Sequence, residues 1–321
     1  METNIDKQEI NITGVSTQLL EMIETDLNTL SPNNAAPNRK RIAFSISDSE
    51  DLEELGMSSL HLQDSIIELT RHLLVQGATI VYGGDLRKNG FLEKFLELSF
   101  QYRVKDDAQY SPFINYFSYP IYCTLTLEQE VKFKKNRVRI VKVKPEAIFS
   151  LDEKDYQIVS HDTIENTFLW AKNLTKMRIE KNLKSDALIL MGGKLGGFIG
   201  CYAGIIEEAY EGLKTQKPIY LIGMFGGATR CLIQSITQKT TLITSEHKDY
   251  FSEKYKALQH LYQEKDPSNI PSVEAINTFF QNLSWKDLHN GLTEEENIRL
   301  FQTNHLMEAI YLVMKGLRNC L

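Results

Sequence analysis

Cysteine is scarce in this chain: four in 321 residues, at Cys123, Cys201, Cys231 and Cys320, with no close pair among them. That spacing excludes a disulfide framework and the paired ligands of a zinc or dithiol site, and it predicts reduced thiols in a cytoplasmic protein with no metal. Long apolar runs are missing too. No stretch approaches the roughly 20 residues that cross a bilayer, so no membrane partner is expected. The first residues carry Glu2, Asp6 and Glu9 instead of the basic-then-apolar order of a signal peptide. Positive charge is in deficit. Lys and Arg number 36 against 42 Asp and Glu, a formal net charge of −6, which argues against a nucleic-acid-binding surface. No G-x-G-x-x-G follows the first apolar strand and no G-x-x-x-x-G-K-[ST] occurs, so neither of the two commonest nucleotide fingerprints applies.

What is present is an alternation of strands and helices. Residues 1–30 place Val15, Leu19, Leu20, Ile23, Leu27 and Leu30 at helical spacing, and Ser31 to Asn38 reads as a linker. From Lys40 onward, Arg41 to Ile46 reads as a short apolar strand. Ser58 to Val75 reads as an amphipathic helix closed by Gly77, and Ala78 to Tyr82 as a second strand. Gly90 to Tyr102 is expected to be helical, and Ile114 to Cys123 and Arg137 to Val143 to be strands. The basic run from Lys132 to Arg139 between them reads as a solvated edge. Then come a helix from Thr163 to Asn182, a strand from Ala187 to Met191, a helix from Gly204 to Leu213 and a strand from Pro218 to Ile222. From about Asp249 the chain is helical and charged. This order predicts an α/β fold, a Rossmann-like parallel sheet flanked by helices. The expected organisation is an N-terminal helix and linker over 1–38, a ligand-binding domain over 39–245 and a helical extension over 246–321.

Four strand ends carry chemistry-prone turns. The first holds Ser45, Ser47 and Asp48; the second reads Tyr82-Gly83-Gly84-Asp85-Leu86-Arg87. The third runs Gly192-Gly193-Lys194-Leu195-Gly196-Gly197, and the fourth Gly226-Gly227-Ala228-Thr229-Arg230. In an open α/β sheet ligands bind outside the carboxyl ends of the strands, so these turns should gather there, with Gly84, Gly193 and Gly227 lining one crevice. Glycines let backbone N–H groups approach a phosphate, a helix N-terminus favours the anion, and Arg87 and Arg230 could hold phosphate through paired donors. Met177-Arg178 lies on the helix before the strand from Ala187 to Met191. Glu207-Glu208 opens the helix after its glycine loop, so Arg178, Glu207 and Glu208 are candidates for acid–base or electrostatic work. The simpler reading of the two carboxylates is complementarity to the helix dipole.

Met177-Arg178, Ser185-Asp186-Ala187-Leu188-Ile189-Leu190 and Gly204-Ile205-Ile206-Glu207-Glu208 resemble the lonely-guy family of phosphoribohydrolases, and Tyr82-Gly83-Gly84 resembles an earlier turn of that family. The family's threonine in the glycine loop is replaced by Ile205, and its Pro-Gly-Gly by the longer run from Met191 to Gly200. With the turns at Tyr82 to Arg87 and Gly223 to Arg230, the chain from Lys40 to Thr240 is more similar to a defence-associated branch of the wider SLOG superfamily. That resemblance implies a nucleotide-derived small-molecule ligand, of the ADP-ribose, NAD or nucleoside phosphate class, with no resident cofactor. It leaves two readings open. One is a sensor or effector domain that assembles as a homo-oligomer; the other is a hydrolase of N-glycosidic bonds using Glu208 and Arg178.

Overall fold

The computed structural model describes residues 39–84, 86, 90–103 and 110–321. The N-terminal helix expected before residue 30, and the candidates Asp85 and Arg87, lie outside these residues. Six parallel strands form one sheet: β1 (Arg41–Ser47), β2 (Thr79–Tyr82), β3 (Phe113–Phe117), β4 (Val138–Lys142), β5 (Ala187–Gly192) and β6 (Ile219–Ile222), in the order β4-β3-β2-β1-β5-β6. The chain runs outward from β1 to β4 on one side, then returns to lay β5 against the other side of β1. The order in which strands are added therefore reverses between β1 and β5. Their register pairs Ile42 with Ala187 at one end and Ser47 with Gly192 at the carboxyl end. The Rossmann-like fold expected from the alternating pattern is the fold observed.

The central strands are apolar at nearly every position because both faces are covered. Ten α-helices lie among the described residues: α1 (Ser59–Val75), α2 (Phe91–Gln101), α3 (Leu127–Lys135), α4 (Ile164–Leu183), α5 (Gly204–Lys214), α6 (Gly227–Gln238), α7 (Glu253–Lys265), α8 (Val273–Gln281), α9 (Glu294–Gln302) and α10 (Leu306–Cys320). Ile42, Phe44, Ile189 and Tyr220 point to one face, packed by α1, α2 and α10. Ala43, Val81, Leu188 and Leu221 point to the other, packed by α4, α5, α6 and α7. Helix α1 shows why the pattern dictates the packing: Leu62, Ile66, Leu69 and Leu73 recur every three or four residues and are buried to 1% exposure or less. Replacing any one of them by Ala would cost about 2–5 kcal/mol.

Two segments differ from the sequence expectation. Strand β3 stops at Phe117 instead of running to Cys123, and the chain turns through a cis Tyr119–Pro120 bond into a short 3₁₀ turn at Ile121–Thr124. The basic run from Lys132 to Lys135 lies in the last turn of α3, where it complements the helix dipole. The signal for α3 is Thr126, whose hydroxyl accepts the Gln129 N–H at 3.2 Å while the Gln129 side chain accepts the Thr126 N–H at 2.9 Å.

Residues 39–321 form one compact unit, the C-terminal helices included. Gly316 of α10 lies against the Tyr220 ring of β6, Tyr220 donates its hydroxyl hydrogen to the Asn290 carbonyl at 2.8 Å, and Asn290 Nδ2 donates to the Ile219 carbonyl at 3.0 Å. The helices after residue 249 thus complete the sheet's packing. No helix among the described residues is long and apolar enough to cross a membrane.

Candidate functional site

A cleft of about 380 Å³ opens at the carboxyl ends of β1, β2 and β5, where the strand order reverses. Ser45 and Ser47 of β1 line it, with Gly83 and Gly84 after β2. The Gly84 N–H donates to Asn115 Oδ1 of the adjacent strand at 3.3 Å, and a side chain there would collide with the Tyr82 ring. The apolar wall is Ile121, Trp170, Leu174 and Met177. The remaining wall is the loop Gly197–Gly200 and the start of α5, with Gly204, Ile205 and Glu208. The first turn of an eleven-residue helix thus borders the cavity, and its unpaired N–H groups favour an anion.

Behind Glu208 lies a buried charge network. Helix α4 presents Leu174, Met177, Arg178 and Lys181 on one face, at positions i, i+3, i+4 and i+7. Helix α5 packs against it and presents Glu207 and Glu208. Arg178 Nη1 donates to Glu207 Oε2 at 2.6 Å, and the Lys181 ammonium, with 0% exposure, donates to Glu208 Oε2. Glu207 also accepts the Thr175 hydroxyl and, at 3.4 Å, the Tyr202 N–H. Burial pushes the Glu207 carboxyl above its ordinary value, opposed by Arg178, Thr175 and Tyr202. Burial pulls the Lys181 ammonium down, opposed by Glu208. Arg178 Nε is buried with no hydrogen-bond partner, 4.0 Å from Glu208 Oε1. The network is formally neutral: two cations on α4 meet two anions on α5. Arg178 and Glu208 reach the cleft, whereas Glu207 is 1% exposed and holds Arg178 from behind.

Lys181 was not among the residues the sequence singled out. Its signal was available: two cations three residues apart on the otherwise buried face of α4, and two adjacent carboxylates at the start of α5. The resembling Ser185-Asp186 pair serves the opposite end of the sheet. The Ser185 hydroxyl donates to the Lys181 carbonyl at 2.7 Å, and the Asp186 carboxylate accepts the Arg41 N–H at 2.7 Å, fixing β5 beside β1.

The expected glycines fall into two groups. Gly83, Gly84 and Gly197 line the cleft. Gly192 and Gly193, with φ of 63° and 104°, stitch the β5 turn to its neighbours. The Gly193 N–H donates to the Ser47 carbonyl at 2.9 Å, and the Gly193 carbonyl accepts the Ala228 N–H at 2.8 Å. Gly196 lies beside Asp249. Gly226 and Gly227 face Asp51 on the loop after β1. The Asp51 carboxylate accepts the Gly227 N–H at 2.8 Å and lies 3.6 Å from Arg230 Nη1. Gly193, Gly227 and Arg230 thus pack beside the crevice that holds Gly84, not along its lining.

With this geometry described, the chain can be placed among known families. The SLOG cluster 2 family model matches residues 36–300. This chain belongs to the SLOG superfamily. No curated protein and no solved structure gives a match. The SLOG match runs past residue 245 into α9, so it spans both the sheet and most of the C-terminal helices. Among the described residues no group of three His, Cys, Asp or Glu side chains is arranged to hold a metal ion.

Proposed function

We propose that this SLOG chain binds a nucleotide-derived small molecule, of the ADP-ribose, NAD or nucleoside phosphate class, and acts as a sensor or effector domain in bacterial anti-phage defence. The observation that carries the reading is the position of the cleft, at the carboxyl ends of parallel strands where the strand order reverses. Its two walls suit the two halves of such a ligand. Trp170, Leu174 and Ile121 offer an apolar surface to a base, while Ser47 and the first turn of α5 offer hydroxyl and backbone donors to ribose and phosphate. Among the described residues Arg178 is the one cationic side chain lining this cleft, and one of its nitrogens is already engaged by Glu207. Phosphate recognition therefore rests chiefly on backbone donors. The same proposal includes homo-oligomer assembly through the flanking helices.

A second reading, N-glycosidic hydrolysis, is favoured by the placement of Glu208. Glu208 lines the cleft; Lys181 takes one of its oxygens, and the other lies 4.0 Å from the unpaired Nε of Arg178. A carboxylate so placed could stabilise positive charge developing on a ribose. One experiment separates the readings. Purified protein is incubated with ADP-ribose, NAD and AMP, with calorimetry for binding and mass spectrometry of the solution for products. The sensor reading expects binding without base release. Base release by the parent that falls roughly 100-fold or more in Glu208→Gln would establish the hydrolase instead. No binding of any of the three would remove both.

A further inference from the structure

The loop between β5 and α5 has a second side. Its cleft side presses on the charge network: a side-chain carbon on Gly200 would lie 2.7 Å from Glu207 Oε2 and 2.8 Å from Arg178 Nη1. Its far side is held by residues from the C-terminal part of the chain. Asp249 accepts the Gly197 N–H at 2.6 Å, Tyr255 donates to the Cys201 carbonyl at 2.9 Å, and the Tyr250 hydroxyl accepts the Ala203 N–H at 2.8 Å. Between the loop and these residues lies another cavity, of about 300 Å³, which shares Gly197–Gly200 with the first as a common wall. A second partition joins them as well. The His161 ring, on the second cavity, packs 5.6 Å from the Trp170 ring, on the first.

The lining defines an occupant. Phe198, Tyr255 and Leu258 supply apolar surface. Lys254 and His161 stand at the exposed rim, and Lys254 has no ion-pair partner among the described residues. Asp249, the acid in the lining, is turned to the Gly197 N–H. A volume near 300 Å³ is at the lower end of the range for small-molecule sites. We propose that this cavity is an effector site for a small organic anion with an apolar body, and that its occupant sets the position of the glycine loop that walls the first cleft. An occupant in contact with Asp249 or Tyr255 touches the groups that tether the loop. Binding there tightens or releases the wall on which the first ligand rests, and by reciprocity the first ligand alters affinity at the second site. The effect on the first ligand rests on the nucleotide reading of the cleft; the existence of the second site does not.

Phenyl phosphate is a suitable probe, with one anionic head and one ring. Its binding to the full chain is followed by calorimetry, and amide hydrogen exchange is read over residues 197–203. The parent should bind phenyl phosphate with AMP present at saturation, and exchange in the loop should change at least threefold. Lys254→Glu and His161→Ala, both at exposed positions that leave the fold intact, should weaken phenyl phosphate binding, the first by tenfold or more, and abolish the exchange change. Unaltered loop exchange, equal binding by Lys254→Glu, or complete displacement of phenyl phosphate by AMP would overturn the proposal. If AMP fails to bind while the loop response and its loss in Lys254→Glu hold, the nucleotide reading falls and the effector site stands.

Discussion

The turns after β5 and β6 look alike in sequence, each pairing glycines with the start of a helix, yet they are used in opposite ways. After β5 the chain takes a long detour through Gly197–Gly200 before α5 begins, and that detour walls the cleft. After β6 the chain enters α6 almost at once, and the donors at its start are met from within the protein. Asp51 accepts the Gly227 N–H, and the Gly193 carbonyl accepts the Ala228 N–H at 2.8 Å. A carboxylate of the chain itself stands where a phosphate could bind. The difference lies in what the loop after β1 does, so a glycine turn announces an available anion site only when no side chain from elsewhere fills it.

The open turn rests on the buried charges, and removing one of them should have the largest effect. Lys181→Met leaves Glu208 buried without its counter-ion, which costs about 3–5 kcal/mol. The double variant Lys181→Met with Glu208→Gln removes both charges and should recover most of the loss. Urea denaturation of the three proteins measures this. Equal stability of Lys181→Met and parent would mean that Glu208 is solvated through the cleft and the network is not a structural floor.

The two turns should also differ in their tolerance of a single methyl group. Gly227 has φ of 60°, and a side-chain carbon there would run into the Gly193 carbonyl and the Ser49 side chain; Gly197 has φ of 66° with nothing within 4 Å. Gly227→Ala should cost about 3 kcal/mol from strain and crowding together. Gly197→Ala should cost about 1 kcal/mol from backbone strain alone. Thermal unfolding of both variants, with closely similar shifts, would erase the distinction between packed and open turns.

The fold was legible because its signal is redundant. The apolar runs at Arg41 to Ile46 and Ala187 to Met191, the heptad-like face from Leu62 to Leu73 and the glycine breaks all point to one parallel sheet. The site was legible in part. Ser47 ends β1, Gly84 and Gly197 lie in turns that follow strands, and Glu208 follows such a turn into α5; topology brings strand ends and the turns after them to one edge. What could not be read were long-range pairings. Asp51 sits 176 residues from Gly227, and no local pattern marks its carboxylate as the cap of α6. The charges of Lys181 and Glu208 are both visible in the sequence, but which cation meets which carboxylate is set only where α5 packs on α4. The C-terminal helices read as a charged helical extension because their charged faces are local; Tyr220, Asn290 and Gly316 join them to β6 through contacts distant in sequence.

Asp51→Ala is the direct way to convert the closed turn into the open kind. Losing a capping carboxylate at a helix start, with its partly exposed pairing to Arg230, should cost about 1–2 kcal/mol. It should also expose the first turn of α6 to solvent anions. Inorganic phosphate should therefore raise the thermal midpoint of Asp51→Ala more than that of the parent, and the variant lacking Arg230 as well should lose part of that gain. An identical phosphate response in parent and Asp51→Ala would mean that Asp51 is not the occupant of an anion site.

The smallest effect is a slope. Burial raises the Glu207 carboxyl above its ordinary 4.5 in the folded chain, so between that value and the raised one the folded protein holds a proton that the unfolded chain has released. By linkage, Glu207 makes stability fall as pH rises through that window and contributes no further change above it. Lys181 acts with the other sign in a higher window. Its folded ammonium lets go of the proton before the ordinary 10.5, and stability rises with pH between the lowered value and that one. Glu207→Gln keeps the side-chain shape without the titration. Its stability, measured by denaturation at closely spaced pH values above 4.5, should lack the parent's fall while keeping the rise in the alkaline range. Asp51 is not among the groups that act on Glu207, so Asp51→Ala should leave the Glu207 slope in place. A parent profile that is flat across this window, or one that Glu207→Gln leaves unchanged, would show that Arg178 and Thr175 together outweigh burial at Glu207, and the floor of the open turn would then be an ion pair stable across the whole neutral range.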